Sequence, residues 1–410
     1  MTISKPAKKF IAGDKVLWVI MAALAVISIL VVYSSSAKMG YSMSTRATAS
    51  DFLRSQLIVV AGCAVVLWCV HRINCRVYGR LARIIYWFWL AVTIYAYIRG
   101  AAINDASRWV FGIQPSEALK IATMILLARR LAERQSVIDR VKLIPTFNPV
   151  KLFRDKKCFT MFREHSLPIM FPVVVACVAI LPAHTSSAVL VFVVSLIMMY
   201  IGRVRKRELL KVMLVAGIAG MLFMSARLGR SGVASGRMST WTQTLFESRA
   251  NVPVRQLTDT ERSMIAIHEG GLFGKGAGHS VVRVELTHPE CDYTFAFFVE
   301  EYGLFMALIL MSFYMWIAIR GIMIFTRCET AFPGLLVLGL VLLITIQALL
   351  HIFVSVNFFP ETGQTLPFIS RGGSSMFFST IAMGIVIGIS RQNDEKSHIA
   401  PRNESIMERG

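Results

Sequence analysis

Ten runs of apolar residues, separated by polar stretches, constrain this chain more than any other feature. They cover residues 16–33, 56–70, 84–98, 118–131, 167–181, 188–201, 209–224, 295–319, 335–354 and 376–389. A transmembrane helix needs roughly 20 apolar residues, so the shorter runs must extend into their polar flanks. With 55% hydrophobic and 17% charged residues, the composition excludes a soluble enzyme. The pattern predicts an all-α integral membrane protein, a polytopic bundle of about ten transmembrane helices.

The positive charges indicate which ends of these helices face the cytoplasm. The formal net charge is +20, and Lys and Arg concentrate after the even-numbered runs. The clusters are Arg72, Arg76, Arg80 and Arg83; Arg134, Arg140, Lys142, Lys151, Arg154, Lys156, Lys157 and Arg163; Arg203, Arg205, Lys206 and Arg207; and Arg320 and Arg327. The positive-inside rule then places both termini in the cytoplasm, with membrane lipid and no nucleic acid as the partner of this charge.

The same rule divides the chain into three parts. We expect a cytoplasmic segment 1–15, a membrane domain 16–391 and a cytoplasmic tail 392–410. The first run is long enough to be retained as a span, because the core of a signal peptide is shorter. Between the seventh and eighth runs, residues 225–294 contain no span and form a large extracytoplasmic loop. A loop of this length in a tightly connected membrane protein is usually functional.

The first polar string of interest opens the fourth run, at Gln114-Pro115-Ser116-Glu117-Ala118-Leu119-Lys120. Pro115 suits the first turn of a helix, where its missing N–H is not needed. Glu117 and Lys120 are three residues apart and therefore share a helix face. Two interpretations remain open. Glu117 caps the helix while Lys120 extends towards the membrane surface, or the two line a polar cavity inside the bundle.

A glycine-rich string from Gly270 to Ser280 lies in the predicted outer loop and contains Lys275. Its glycines allow a tight backbone that presents N–H groups and the Lys275 ammonium to an anion. It matches neither a Walker loop nor a dinucleotide-binding fingerprint, because no strand precedes it.

Carboxylates accompany the point where the outer loop returns to the membrane. Asp292 comes a few residues before the eighth run, and Glu300 and Glu301 lie about two turns further along. A loop carboxylate is usually only solvated, but one at the mouth of an apolar cavity can act as a base. Carboxylates within a span are costly and indicate a functional or paired role.

The last string runs from Asn357 to Ser375 and includes Leu366-Pro367-Phe368-Ile369-Ser370-Arg371-Gly372-Gly373-Ser374-Ser375. Its prolines and glycines predict a re-entrant or broken segment, which is tolerated only inside the protein. On the residues alone, Ser374 and Ser375 cap the final helix.

Taken together, these strings resemble the SEDS family (shape, elongation, division and sporulation), which includes FtsW and RodA. The resemblance covers nearly the whole chain, and the Gln-Pro-Ser-Glu-x-x-Lys and Leu-Pro-Phe-Ile-Ser-x-Gly-Gly-Ser-Ser strings carry it. Within the family the last string is more similar to that of FtsW. The resemblance implies an inverting peptidoglycan glycosyltransferase that polymerises lipid II, releases undecaprenyl diphosphate and works in septal wall synthesis at the cytoplasmic membrane.

The resemblance also implies roles for individual residues and partners. Asp292 takes the position of the family's essential aspartate, and Glu117 and Lys120 match its glutamate and lysine. The candidates for binding substrate and pyrophosphate are Glu117, Lys120, Arg108, Lys275, Arg371 and Ser374. Expected partners are a class B penicillin-binding protein of the FtsI type and other divisome membrane proteins. A divalent cation, Mg²⁺ or Mn²⁺, is compatible with the chemistry, but its ligands are unknown. His279, Glu285, His288 and Glu290 are candidate ligands, although the sequence favours a role as solvated loop residues.

Several positions depart from the family's pattern. Glu290-Cys291 stands where the family has His-Thr, Ala183-His184-Thr185-Ser186 replaces a string that contains an acid, and Arg371 replaces a tyrosine. Two other functions therefore remain open: a transporter that flips lipid II, and a divisome scaffold without catalysis.

Overall fold

The computed structural model describes residues 12–36, 49–99, 101–103, 106–109, 112–144, 159–160, 162–225, 231–246, 257–280 and 291–407. The helices in these ranges are α1 (Lys15–Ser36), α2 (Ala49–Val70), α3 (Cys75–Arg99), α4 (Pro115–Ala132), α5 (Leu167–Ile180), α6 (Thr185–Ile201), α7 (Lys206–Ser225), α8 (Ser231–Phe246), α9 (Asp259–Gly270), α10 (Thr294–Thr326), α11 (Ala331–Ser355) and α12 (Gly373–Met407). A π-helical turn, Phe162–Ser166, leads into α5, and a 3₁₀ turn, Ile138–Arg140, follows α4.

The predicted all-α membrane fold is confirmed, because each of the ten apolar runs lies within or almost wholly within one helix. Seven stretches of the described residues are long and apolar enough to cross a membrane: α1, α2, α3, α5 with its π-helical turn, α10, α11 and α12. Helix α6 is apolar but shorter. The described residues also include a small antiparallel ribbon between α3 and α4, formed by β1 (Ala101–Ile103) and β2 (Ala106–Trp109).

The helices differ in how much of their surface the protein covers. In α11 and α12, 78% and 83% of the most apolar window is buried, whereas in α2 the share is 17%. Helix α4 is buried along almost its whole length although it carries Glu117 and Lys120. Outer helices instead expose large apolar side chains, such as Ile58, Phe88 and Met221. This inverted distribution suits a lipid solvent, in which apolar surface needs no protein cover.

Contacts between distant segments define two ends of the bundle. At one end, which we call the site end, Ser34 in the last turn of α1 meets Glu301 of α10, and Gln114 before α4 meets His184 before α6. At the other, which we call the basic end, Asp14 pairs with Arg320 at 2.5 Å and Arg391 donates to the carbonyl of Arg72. Along the chain, successive apolar helices run from the basic end to the site end and back, as expected for ten consecutive spans.

The long connection between α7 and α10 contains two helices, α8 and α9, where the sequence indicated only a loop. Thr258 and Glu261 form a capping box that starts α9. Trp241 of α8 donates to the carbonyl of Asn357 at 3.1 Å, and Ser263 of α9 donates to the carbonyl of Ser355 at 2.8 Å. Both helices therefore pack at the site end, against the end of α11.

Candidate active site

An ion pair lies in the first turns of α4. Lys120 Nζ is 2.8 Å from Glu117 Oε1, and Lys120 and Glu117 are 1% and 8% exposed. Gln114 occupies the N-cap position of α4 without a side-chain capping bond, and its N–H donates to Ser374 rather than to Glu117. The two side chains therefore neither cap the helix nor extend to the membrane surface. Because burying both charges is costly, such a pair needs further polar partners to hold its geometry.

Gln347 of α11 is such a partner, and it links the ion pair to the segment 364–375. Lys120 Nζ donates to Gln347 Oε1 at 3.0 Å, and Gln347 Nε2 donates to the Thr365 carbonyl at 3.1 Å. The hydroxyls of Thr365 and Ser375 are 2.9 Å apart. A chain of hydrogen bonds thus runs from the ion pair through α11 to the start of α12.

Ser374 joins α12 to the start of α4. Its hydroxyl accepts from the Gln114 N–H at 3.2 Å and donates to the Gly112 carbonyl at 3.3 Å. Gly112 and Gln114 are both more than 250 positions from Ser374 in the sequence. They give Ser374 a connecting role that the sequence-based capping interpretation did not include.

Asp292 occupies the turn directly before α10 and is partly buried. Hydrogen bonds of the preceding residue, Cys291, connect this turn to the segment 364–375. The carbonyl of Cys291 accepts from Ser370 Oγ at 3.0 Å, and the Cys291 thiol donates to the Arg371 carbonyl at 3.0 Å. Asp292, Arg371, Ser374, Glu117 and Lys120 therefore lie on one connected set of elements at the site end.

Glu361, which follows α11, lies close enough to Asp292 for their charges to interact. Arg237 Nε of α8 is 3.8 Å from Glu361 Oε2. Burial raises the pKa of Glu361; the Arg237 guanidinium opposes this, and the carboxylates of Asp292 and Asp259 add to it. Burial likewise raises the pKa of the Tyr293 hydroxyl, which lies 3.1 Å from the Thr260 hydroxyl. Sequence reasoning missed Glu361 and Arg237, although Glu361 stands inside the last string that it singled out.

Lys275 belongs to a different cluster. Its Nζ is 2.5 Å from Glu269 Oε2 and 3.3 Å from Glu300 Oε1. The hydrogen bond from Lys275 lowers the pKa of Glu269, and the same bond raises that of Lys275. Since two carboxylates compensate its charge, Lys275 is less suited to binding an anion than the sequence suggested. The geometry favours a structural role.

The glycine-rich segment closes over two buried carboxylates of α10. Glu301 accepts from Ser34 Oγ at 2.6 Å and from the Gly278 N–H at 3.0 Å. Glu300 accepts from Ser280 Oγ. These partners explain how α10 holds two carboxylates that are at most 1% exposed.

Arg108 and the candidate metal ligands are only partly described. Arg108 lies in β2, and its side chain is outside the described part of the structure. Glu285, His288 and Glu290 also lie outside the described residues. His279 is exposed, with Nδ1 3.2 Å from the Ala277 carbonyl. Within the described ranges, no three His, Cys, Asp or Glu side chains group closely enough to hold a metal ion.

Comparisons with known proteins agree on one family. A family profile for FtsW, RodA and SpoVE, described as "cell cycle protein", matches residues 14–395. The probable peptidoglycan glycosyltransferase FtsW of Coxiella burnetii is 24% identical over 92% of this chain and 96% of its own length. The stage V sporulation protein E of Bacillus subtilis is 27% identical over 92% and 97%.

Solved structures match over nearly the full length. A chain from a peptidoglycan synthase complex, described for its coordination of polymerization and crosslinking, gives a TM-score of 0.66 at 17% identity and covers 93% of this chain and 98% of its own. A variant of the rod shape determining protein RodA from Thermus thermophilus gives 0.62 at 19% identity, with the same coverage. At these identities the likeness establishes the fold.

Proposed function

Because the chain belongs to the cell cycle protein family of FtsW, RodA and SpoVE, we propose that it is a peptidoglycan glycosyltransferase that polymerises lipid II during septal wall synthesis. The observation that carries this proposal is the connection of Asp292, through the segment 364–375, to the buried Glu117–Lys120 pair. A partly buried carboxylate that can act as a base and cations held inside a bundle suit glycosyl transfer from a diphosphate.

In the proposed reaction, Asp292 acts as the general base. The acceptor sugar's 4-hydroxyl loses its proton to the Asp292 carboxylate as its oxygen attacks the anomeric carbon of the donor. The new C–O bond forms with inversion, the bond to the diphosphate breaks, and undecaprenyl diphosphate leaves with the electron pair. A diphosphate is a good leaving group, so a second carboxylic acid is not needed, in contrast to glycoside hydrolases.

Cations at the site end stabilise the charge that develops on the leaving diphosphate. Lys120 is fixed by Glu117 and Gln347, so its ammonium is already oriented before substrate arrives. Arg371 and Arg108 are the further candidates, and Ser374 positions the start of α4 through its bonds to Gly112 and Gln114. Any divalent cation would need ligands from outside the described residues or from the substrate itself.

The surroundings of this site suit a lipid-linked substrate and a membrane partner. Apolar outer faces on helices such as α2 let a polyprenyl tail stay in hydrocarbon while its headgroup reaches the site end. We place both termini in the cytoplasm, so that the site end faces outwards. The similarity to a chain of a peptidoglycan synthase complex supports a partner synthase, for which a class B penicillin-binding protein is the candidate.

A reconstitution experiment tests the proposal. The purified full-length protein, alone and with a class B penicillin-binding protein, is placed in liposomes with labelled lipid II. Glycan strands would support the transferase. Exchange of lipid II between leaflets without polymer would instead indicate a flippase, and neither activity would indicate a scaffold. The last two results would each overturn the proposal.

A further inference from the structure

The turn at residues 271–274, within the glycine-rich segment, carries two apolar side chains on its tip. Leu272 is 64% exposed and Phe273 is 84% exposed. Exposed aromatic and aliphatic neighbours at a turn need an explanation, because turns normally carry polar residues. We call these four residues the 271–274 tip.

Backbone hydrogen bonds fix the 271–274 tip to α10. The N–H groups of Leu304 and Phe305 donate to the carbonyls of Gly271 and Leu272 at 2.9 and 3.2 Å. They are available because α10 is interrupted at Gly303, which has a φ of 81°. In return, Lys275 and Gly276 donate to the carbonyls of Glu300 and Glu301 at 2.9 Å each.

Two glycines make this contact possible. A Cβ on Gly303 would lie 2.4 Å from the Leu272 carbonyl oxygen, and one on Gly274 would lie 2.2 Å from that of Glu301. Both residues also have positive φ angles, which side chains disfavour. The position of the 271–274 tip relative to α10 is therefore set by backbone packing.

The apolar tip is continuous with the outward face of α10. Leu304, Phe305 and Leu308 are 41%, 55% and 54% exposed, and α10 is one of the candidate spans. Because the N–H groups of Leu304 and Phe305 bond to the 271–274 tip, Leu272 and Phe273 lie next to the start of this face. The two surfaces form one apolar patch.

The length of α10 gives the depth of this patch. From Leu304 to Thr326 the helix runs about 33 Å, close to the roughly 30 Å thickness of the hydrocarbon core. If this stretch spans the core, residues before Gly303 project beyond it and the 271–274 tip lies at its boundary. The paired residues Glu269 and Lys275 flank the 271–274 tip in the sequence, and charges beside apolar side chains are the pattern expected of a segment at this boundary.

We propose that Leu272 and Phe273 insert into the acyl chains of the bilayer at the site end and anchor the outer loop to the membrane surface. The occupant of the patch is lipid, because the patch continues the outward apolar face of α10, whose length and hydropathy are those of a membrane span. The anchor acts close to the site: α9 directly precedes the 271–274 tip, and its Ala266 packs in one cluster with Tyr293, next to Asp292. This proposal does not depend on the proposed activity.

Fluorine NMR of the full-length protein in phospholipid nanodiscs tests the anchor. Three proteins are prepared, each with one trifluoromethyl-phenylalanine. The label replaces Phe273 in the first, Phe305 in the membrane-facing control, and the exposed His279 in the control from the glycine-rich segment. Line broadening is compared between a nitroxide on the lipid acyl chain and a water-soluble paramagnetic chelate. The label at 273 should behave like that at 305, with more broadening from the lipid nitroxide and less from the chelate than at 279.

Two outcomes would overturn the proposal. A label at 273 that responds like that at 279 would place the 271–274 tip in water. Protection from both reagents would mean that protein, rather than lipid, covers the patch. Because the labelled residue retains an aromatic ring, a folding defect is not expected, and thermal unfolding of each labelled protein checks that the bundle is intact.

Discussion

Lys120 Nζ lies 2.8 Å from Glu117 Oε1 inside the bundle, and the same ammonium donates to Gln347 on α11 at 3.0 Å. The Lys120 ammonium is thus held by residues of two helices, Glu117 on α4 and Gln347 on α11. This arrangement fixes the ammonium in space and links it to the segment that reaches Asp292.

Breaking this pair should destabilise the protein strongly. Lys120→Met leaves the Glu117 carboxylate buried without its cation, at a cost of about 3–5 kcal/mol. Glu117→Gln should cost less, because Lys120 keeps Gln347 as a partner. The double variant should be more stable than the sum of the single effects predicts. Thermal unfolding in detergent measures all three variants, and additive effects would show that the pair is not coupled.

Asp292→Asn should reduce polymerisation of lipid II by about 10²–10⁴-fold, because the amide cannot accept the proton of the attacking hydroxyl. Glycan formation by purified protein is the measurement. Asp139→Asn is the matched control, since Asp139 is exposed and follows α4 at the basic end. Near-normal polymerisation by Asp292→Asn would remove Asp292 as the base.

Glu361 should make stability depend on pH. Burial raises its pKa, with Asp292 and Asp259 adding to the effect and Arg237 opposing it. A carboxyl whose pKa is higher in the folded protein stabilises the fold below its unfolded pKa and loses that contribution as pH rises through the folded pKa. The unfolding midpoint of Glu361→Gln should therefore increase relative to that of the wild type as pH rises from the unfolded to the folded pKa of Glu361. A difference that is constant across pH would contradict the raised pKa.

Gly303→Ala should lower the free energy of unfolding by about 1–3 kcal/mol, because the backbone at Gly303 has a positive φ and leaves no room beside the Leu272 carbonyl. Gly62→Ala in α2 is the control. An added Cβ there meets nothing within 4 Å and suits a helix, so the change should be neutral or stabilising. Equal unfolding midpoints for the two variants would argue against the tight contact between α10 and the 271–274 tip.

The sequence by itself determined the ten apolar helices and the order of their ends, but not α8 and α9 of the outer loop. Each apolar run is a local property that lipid converts into a helix, since backbone groups in hydrocarbon must bond within their own segment. The spacing of Glu117 and Lys120 likewise fixed their shared face before any packing was known, because three residues nearly complete a helical turn.

Only the tertiary structure decided which charges meet. Arg237 and Glu361 are 124 positions apart, and nothing local to either residue indicates that α8 packs beside the last string. In the sequence, Lys275 and Lys120 were both candidates for binding the diphosphate. In the structure, the interruption of α10 at Gly303 places Lys275 beside Glu269 and Glu300. Local patterns fix helices because their hydrogen bonds are local. Partners of buried charges depend on how those helices pack, and that is a property of the whole bundle.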